Sequence, residues 1–142
     1  MKSTIIYDVL VVGGGASGSA AGIQSARLGA KTLIIEETPW LGGMITSAGV
    51  SAFDGNKYAL GGGIFGELRK KIEDYYGGPE KTFTGWISLT CFEPKVAKQF
   101  LHHMAEEEKN LTVWFETKLL KVLREKNKIV GAIVRKKDRS EV

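Results

Sequence analysis

Hydrophobic positions change their period several times along the chain. Ile5 to Val12 is almost unbroken in its apolar character, the pattern of a parallel-sheet strand buried on both faces. Ala16 to Leu28 switches to helical spacing, with small residues early and Gly29 as a stop signal. Lys31 to Glu36 is apolar again and predicts a second strand, completing a β-α-β unit within about thirty residues. Positions 39–63 have little periodicity and many glycines, which predicts a functional loop rather than a neutral connector. Two amphipathic helices follow. Ile64 to Tyr75 aligns Ile64, Phe65, Leu68, Ile72 and Tyr75 on one stripe, and Pro94 to Lys109 does the same with Val96, Ala97, Phe100, Leu101 and Met104. Pro94 suits a first helical position, where no amide donor is needed. Leu111 to Phe115 predicts a third strand, and Lys118–Arg124 with Ile129–Arg135 predicts two antiparallel strands around the turn EKNK.

Composition changes this picture little. The 142 residues, 43% hydrophobic and 25% charged, fit one globular α/β domain. The 18 glycines cluster at Gly13–Gly15, Gly42–Gly43 and Gly61–Gly63, as loops built for a purpose do. No apolar stretch has the length of a membrane-spanning helix, and Asp8 interrupts the run that would otherwise suggest a signal peptide. The lone Cys91 has no internal disulfide partner. These features predict a cytoplasmic protein with no membrane partner. Charge is uneven: Lys118 to Arg139 holds nine lysines and arginines against two acids. The basic residues alternate with apolar ones and no nucleic-acid motif accompanies them, so they read as the solvated face of a hairpin.

The candidate chemistry lies at the glycines. Gly13, Gly15 and Gly18 form G-x-G-x-x-G where the first strand meets the first helix. The first permits a tight turn, the second lets backbone approach a pyrophosphate, and the third lets helix and strand pack closely. Helix-start amides stabilise phosphate charge there, and Ser17 adds a hydroxyl. Glu36 ends the second strand 18 positions after Gly18, where a carboxylate accepts hydrogen bonds from a ribose diol and disfavours a 2′-phosphate. These features suit NAD as well as FAD. A second pair, Gly42–Gly43, falls at the carboxyl end of the second strand, the crevice side of an open α/β sheet.

The strings DVLVVGGGASGSAAG, LGAKTLIIEE and LGGMIT together resemble the N-terminal FAD-binding region of bacterial FAD-dependent oxidoreductases of the glutathione-reductase and fumarate-reductase-like flavoprotein superfamily. FEPKVAKQFLHHMAEEEKNLTVWFETKLLKV resembles the helix, strand and start of the β-meander that follow in that family, so the likeness covers most of the chain. It implies a Rossmann-like FAD-binding fold: a parallel sheet, extra helices and a C-terminal antiparallel β-meander. It implies that Gly13, Gly15, Ala16, Ser17 and Gly18 hold the pyrophosphate, that Glu36 holds the adenosine ribose, and that Glu37 lies beside adenine. Gly42, Gly43, Met44 and Thr46 would flank the pyrophosphate, ribityl chain and inner flavin edge, with Lys118 or Leu119 touching adenine through its backbone. Gly22 departs from the alanine that many relatives carry, a difference expected to matter little.

The family's later strand, its Gly-Asp segment and its substrate domain do not appear in the sequence. Residues 1–142 therefore read as a partial FAD-binding domain whose first strand keeps an open edge, completed by further chain, a partner or a second copy. The substrate is an unknown small molecule and no catalytic residue is assigned. A non-catalytic dinucleotide-binding module is the alternative; an NAD-dependent dehydrogenase fits the long insertion before the third strand less well. His102 and His103 read as surface or core-edge residues, Cys91 as a small half-buried one, and Trp40 as the one tryptophan placed to neighbour a cofactor. No Cys/His spacing predicts a metal site.

Overall fold

The structure is a computed structural model that describes residues 4–54, 58, 61–138 and 140–142. Part of the glycine-rich loop (55–57, 59 and 60) and Arg139 of the basic tract lie outside the described residues. The β-α-β unit comprises β1 (Val9–Val12), α1 (Ala16–Arg27) and β2 (Thr32–Ile35). A two-residue strand, β3 (Ala52–Phe53), precedes α2 (Gly63–Tyr76), the short α3 (Pro79–Thr82), β4 (Thr90–Cys91), α4 (Pro94–Glu106) and β5 (Leu111–Trp114). The chain ends in the hairpin β6 (Lys118–Glu125) and β7 (Lys128–Arg135).

The main sheet is parallel, in the order β1-β2-β5. Its register pairs Val12 with Ile35 and Ile35 with Trp114. β2 is therefore central and fully buried, and its alternation serves two layers. Ile34 enters the larger core with Ile23, Leu68, Ile72, Ala97, Leu101 and Met104 from the helices. Leu33 and Ile35 face the other way, under Val134, Tyr7, Trp114 and Leu119. Helices thus cover one face and the base of the hairpin covers the other. Arg27, at the end of α1, ties the helical layer together: its Nε donates to Glu108 at 2.6 Å and its Nη1 to Glu67 at 2.7 Å.

Three expectations need correction. The ladder of β1 starts at Val9, not Ile5, and β1 is not buried on both faces. Leu10 is 40% and Val12 53% exposed. β1 is an outer strand of the sheet, and a cavity separates Leu10 from Leu123 and Val130 of the hairpin. The hairpin itself alternates less cleanly than its sequence. Each of its strands has eight residues against four in β2, and Val122, Ile129 and Val130 stay exposed along with the basic residues. Gly22 also packs more tightly than that expectation allowed: an added Cβ would stand 2.4 Å from Ile34 Cδ1, so alanine there requires the Ile34 side chain to shift. Sequence patterning missed β3, β4 and α3, which are too short to show a period.

Candidate dinucleotide site

The bend after β1 is a built object. The Gly13 amide donates to Ile35 O at 2.9 Å, extending the ladder by one bond, and Gly13 then turns at φ +96°. Gly14 is buried and held from both sides. Its amide donates to Glu36 Oε2 at 2.6 Å, while its carbonyl accepts from Ser19 Oγ and from the Gly42 amide, each at 2.8 Å. A side chain at Gly14 would strike Leu41 Cδ2 at 2.7 Å, which accounts for the middle member of the glycine triplet. Gly15 opens outward, with nothing within 4 Å of an added Cβ. At Gly18 the same atom would sit 1.8 Å from Gly13 O, so α1 packs against the bend closer than any side chain allows.

The start of α1 faces outward. No side chain caps it at Gly15 and no acid stands in its first turn, so its leading amides and the helix dipole are left for an external anion. Ala16 and Ser17 are exposed there. Glu36 lies beside the bend. Its Oε1 accepts the Thr38 amide at 2.8 Å while Oε2 accepts Gly14, so two backbone donors fix the carboxylate. An ionised carboxylate has about four acceptor positions, which leaves two for an incoming diol. The residues present therefore fit a dinucleotide: an open amide lip, a close helix, and an oriented carboxylate with spare acceptor capacity.

The second glycine pair forms the neighbouring wall. Gly15 and Gly42 make a parallel bridge, and an added Cβ on Gly43 would approach Gly15 Cα at 3.0 Å. Met44, 65% exposed, sits in the short 3-10 turn Gly43–Ile45 beside them. Thr46 is different: it is buried and its Oγ donates to Leu41 O at 2.6 Å. Its hydroxyl is engaged within the loop. Glu37 and Lys118 are exposed and 3.8 Å apart, and the Thr117 amide donates to Glu36 O at 2.9 Å, so the start of β6 adjoins the carboxylate corner. Leu119 points its side chain into the smaller core, leaving only its backbone for an outside contact.

Ser19 is the residue that sequence reasoning overlooked. A serine on the otherwise apolar buried face of α1 was the available signal. A cavity of about 590 Å³ is lined by Trp40, Tyr75, Lys98 and His102 and shares none of its lining with the glycine bend. Lys98 Nζ stands 5.5 Å from the Trp40 ring centroid. Among the described residues no group of His, Cys, Asp and Glu is placed to hold a metal, and no helix is long and apolar enough to cross a membrane.

A protein-family model described as FAD dependent oxidoreductase matches residues 8–142. The chain belongs to that family. Its cofactor is FAD, as the strings around the two glycine clusters imply. Digeranylgeranylglycerophospholipid reductase of Thermoplasma acidophilum is 30% identical over 146 aligned positions, covering 91% of this chain and 35% of that protein. Among solved structures, a geranylgeranyl bacteriochlorophyll reductase-like protein from Thermoplasma acidophilum is 27% identical with a TM-score of 0.56, over 93% of this chain and 35% of the other. A myxobacterial chondrochloren halogenase, described as FAD-dependent, reaches a TM-score of 0.69 at 14% identity, over 98% and 35%, a likeness of fold alone. The chain thus spans about a third of the length of these relatives.

Proposed function

We propose that this chain is the FAD-holding part of an oxidoreductase acting on a small organic substrate. FAD, when bound, supplies the ring that accepts a hydride. The chain's own residues do the holding. Gly15, Ala16, Ser17 and Gly18 present their backbone to the diphosphate, and Gly13, whose amide is held by Ile35 O, turns the chain toward it. Glu36 accepts the adenosine ribose hydroxyls and rejects a 2′-phosphate by charge. Glu37 and the Lys118–Leu119 backbone border the adenine. Gly42, Gly43 and Met44 line the path toward the flavin, with Thr46 acting through the loop it pins. The observation that supports this most is the pairing of an open Gly15 with a Glu36 carboxylate fixed by the Gly14 amide.

The substrate-facing portion belongs, in this proposal, to polypeptide beyond these 142 residues. An apolar cavity of about 390 Å³ lined by Ile5, Ile6, Leu10, Leu123, Val130 and their neighbours supports it, because the open edge of β1 borders that cavity. A further strand, from a continuing chain, a partner or a second copy, covers that edge in the working protein, which we place in the cytoplasm. The alternative is a dinucleotide-binding module that performs no chemistry of its own.

The test is titration of the full chain with FAD, read by flavin absorbance and fluorescence, with NAD and NADP as competitors. Yellow protein that FAD saturates and NADP does not displace is expected. Bleaching by a reductant substrate distinguishes an enzyme from a passive module. Protein that stays colourless in excess FAD and binds NAD instead overturns the reading.

A further inference from the structure

The imidazole of His102 sits where α4 passes behind the second glycine loop. Its Nε2 accepts a hydrogen bond from the Leu41 amide at 3.2 Å, so that nitrogen carries a lone pair and the ring proton is on Nδ1. The ring stacks on Phe115, 4.9 Å between centroids and 16° from parallel, which fixes its plane. Leu41 is fully buried, and the Gly42 amide that follows it donates to Gly14 O. A continuous series of bonds therefore runs from α4 through Leu41 and Gly42 to the bend beside Gly15.

We propose that His102 is a positioning residue for the cofactor loop: as neutral imidazole it holds the Leu41–Gly43 wall against Gly14 and Gly15, and its protonation releases that wall. An imidazolium carries a hydrogen on Nε2 and meets the Leu41 amide donor to donor, so the contact exists in one charge state only. The surroundings favour the neutral ring. Burial, then the Lys98 ammonium one turn away, hold its pKa below the ordinary histidine value, against a smaller pull from Glu106. Lys95, Lys98, His103 and Glu106 from α4 and Tyr75 from α2 border the same cavity, and Glu106 is the one acid among them, its pull outweighed by burial and Lys98. Because the folded pKa is depressed, the contact is intact above the ordinary histidine range and is lost as pH falls through the lowered value.

The effect on the loop stands on this geometry alone, and the effect on FAD rests also on the function proposed above. Two variants separate the roles. His102→Gln keeps an acceptor near Nε2 and does not titrate; His102→Phe keeps a stacking ring without an acceptor. Amide-exchange protection factors of a peptide covering 38–46 are measured on ligand-free full chain at about pH 7.5 and about pH 5.5, on either side of the ordinary histidine pKa. FAD Kd is measured at the same two values. In the unsubstituted protein, protection and FAD affinity should both fall about tenfold at the lower pH, the scale of one lost hydrogen bond. His102→Gln should hold its protection and affinity at both values. His102→Phe should show the lowered protection at both. Equal acid responses in the unsubstituted protein and His102→Gln, or full protection in His102→Phe, overturn the proposal. If His102→Phe does not fold, the first comparison decides. If the protein binds no FAD at either pH, the proposed function fails while the exchange data still judge the loop.

Discussion

Two neighbouring glycines should respond to alanine in opposite ways. At Gly18 the added methyl would lie 1.8 Å from Gly13 O and 3.0 Å from its carbonyl carbon. Both are backbone atoms at the end of β1, so neither can swing aside and α1 must lift from the sheet. Overpacking of this kind costs about 1–3 kcal/mol, and a clash with main chain places Gly18→Ala near the upper value. At Gly15 the methyl meets nothing within 4 Å, and the backbone there is at φ −60°, ψ −177°, open to any residue. Gly15→Ala should leave stability within about 0.5 kcal/mol of the original. Its methyl projects instead into the space assigned to the diphosphate, so FAD affinity should fall at least about tenfold, or about 1.4 kcal/mol. Urea denaturation of the ligand-free protein gives the first quantity, and flavin fluorescence titration gives the second. Gly18→Ala unfolding at the original midpoint would refute the close-packing argument. Gly15→Ala binding FAD normally would refute the assignment of the bend.

Glu36→Gln should weaken FAD by about tenfold while leaving the Gly14 bend formed, because one amide oxygen still accepts a backbone donor; unchanged Kd in a calorimetric titration counts against the ribose contact. Alanine in place of a helical glycine usually stabilises by up to about 1 kcal/mol, but Gly22→Ala should destabilise, since its Cβ falls 2.4 Å from a fully buried Ile34. A raised thermal midpoint would show that the core has room. Glu67 has its pKa lowered chiefly by its hydrogen bond to Arg27, so its stabilising effect is complete above the ordinary glutamate range and lost as pH falls through the lowered value. Arg27→Met should flatten that part of the acid unfolding profile; an unaltered profile would show that solvent screens the pair.

The elements of the nucleotide-holding half were legible because their signals are local. A continuous apolar run, small residues at helical spacing and an acid at the strand end each follow from backbone geometry over a few residues. What stayed hidden depends on contacts distant in sequence. Ser19 looks like any helix serine until its Oγ is seen donating to Gly14 O. Thr46 gives no sign in the sequence that its hydroxyl donates to Leu41 O. His102 gave no sign of its task because Leu41 lies 61 positions earlier. The exposure of β1 and of the hairpin tip is a property of what covers them, which periodicity cannot report.

Strand β2 has four residues, and each peptide along it is counted off by neighbours on both sides. Glu36 is the next residue, and its amide is still tied to Trp114 O at 2.9 Å. The carboxylate's address is therefore set by arithmetic in the sheet. Inserting one residue in β2 would carry that carboxylate about 3.3 Å onward and turn it to the opposite face, beneath the hairpin. Insertions on either side of this stretch meet no such bookkeeping, so length variation among related chains should stop at its borders.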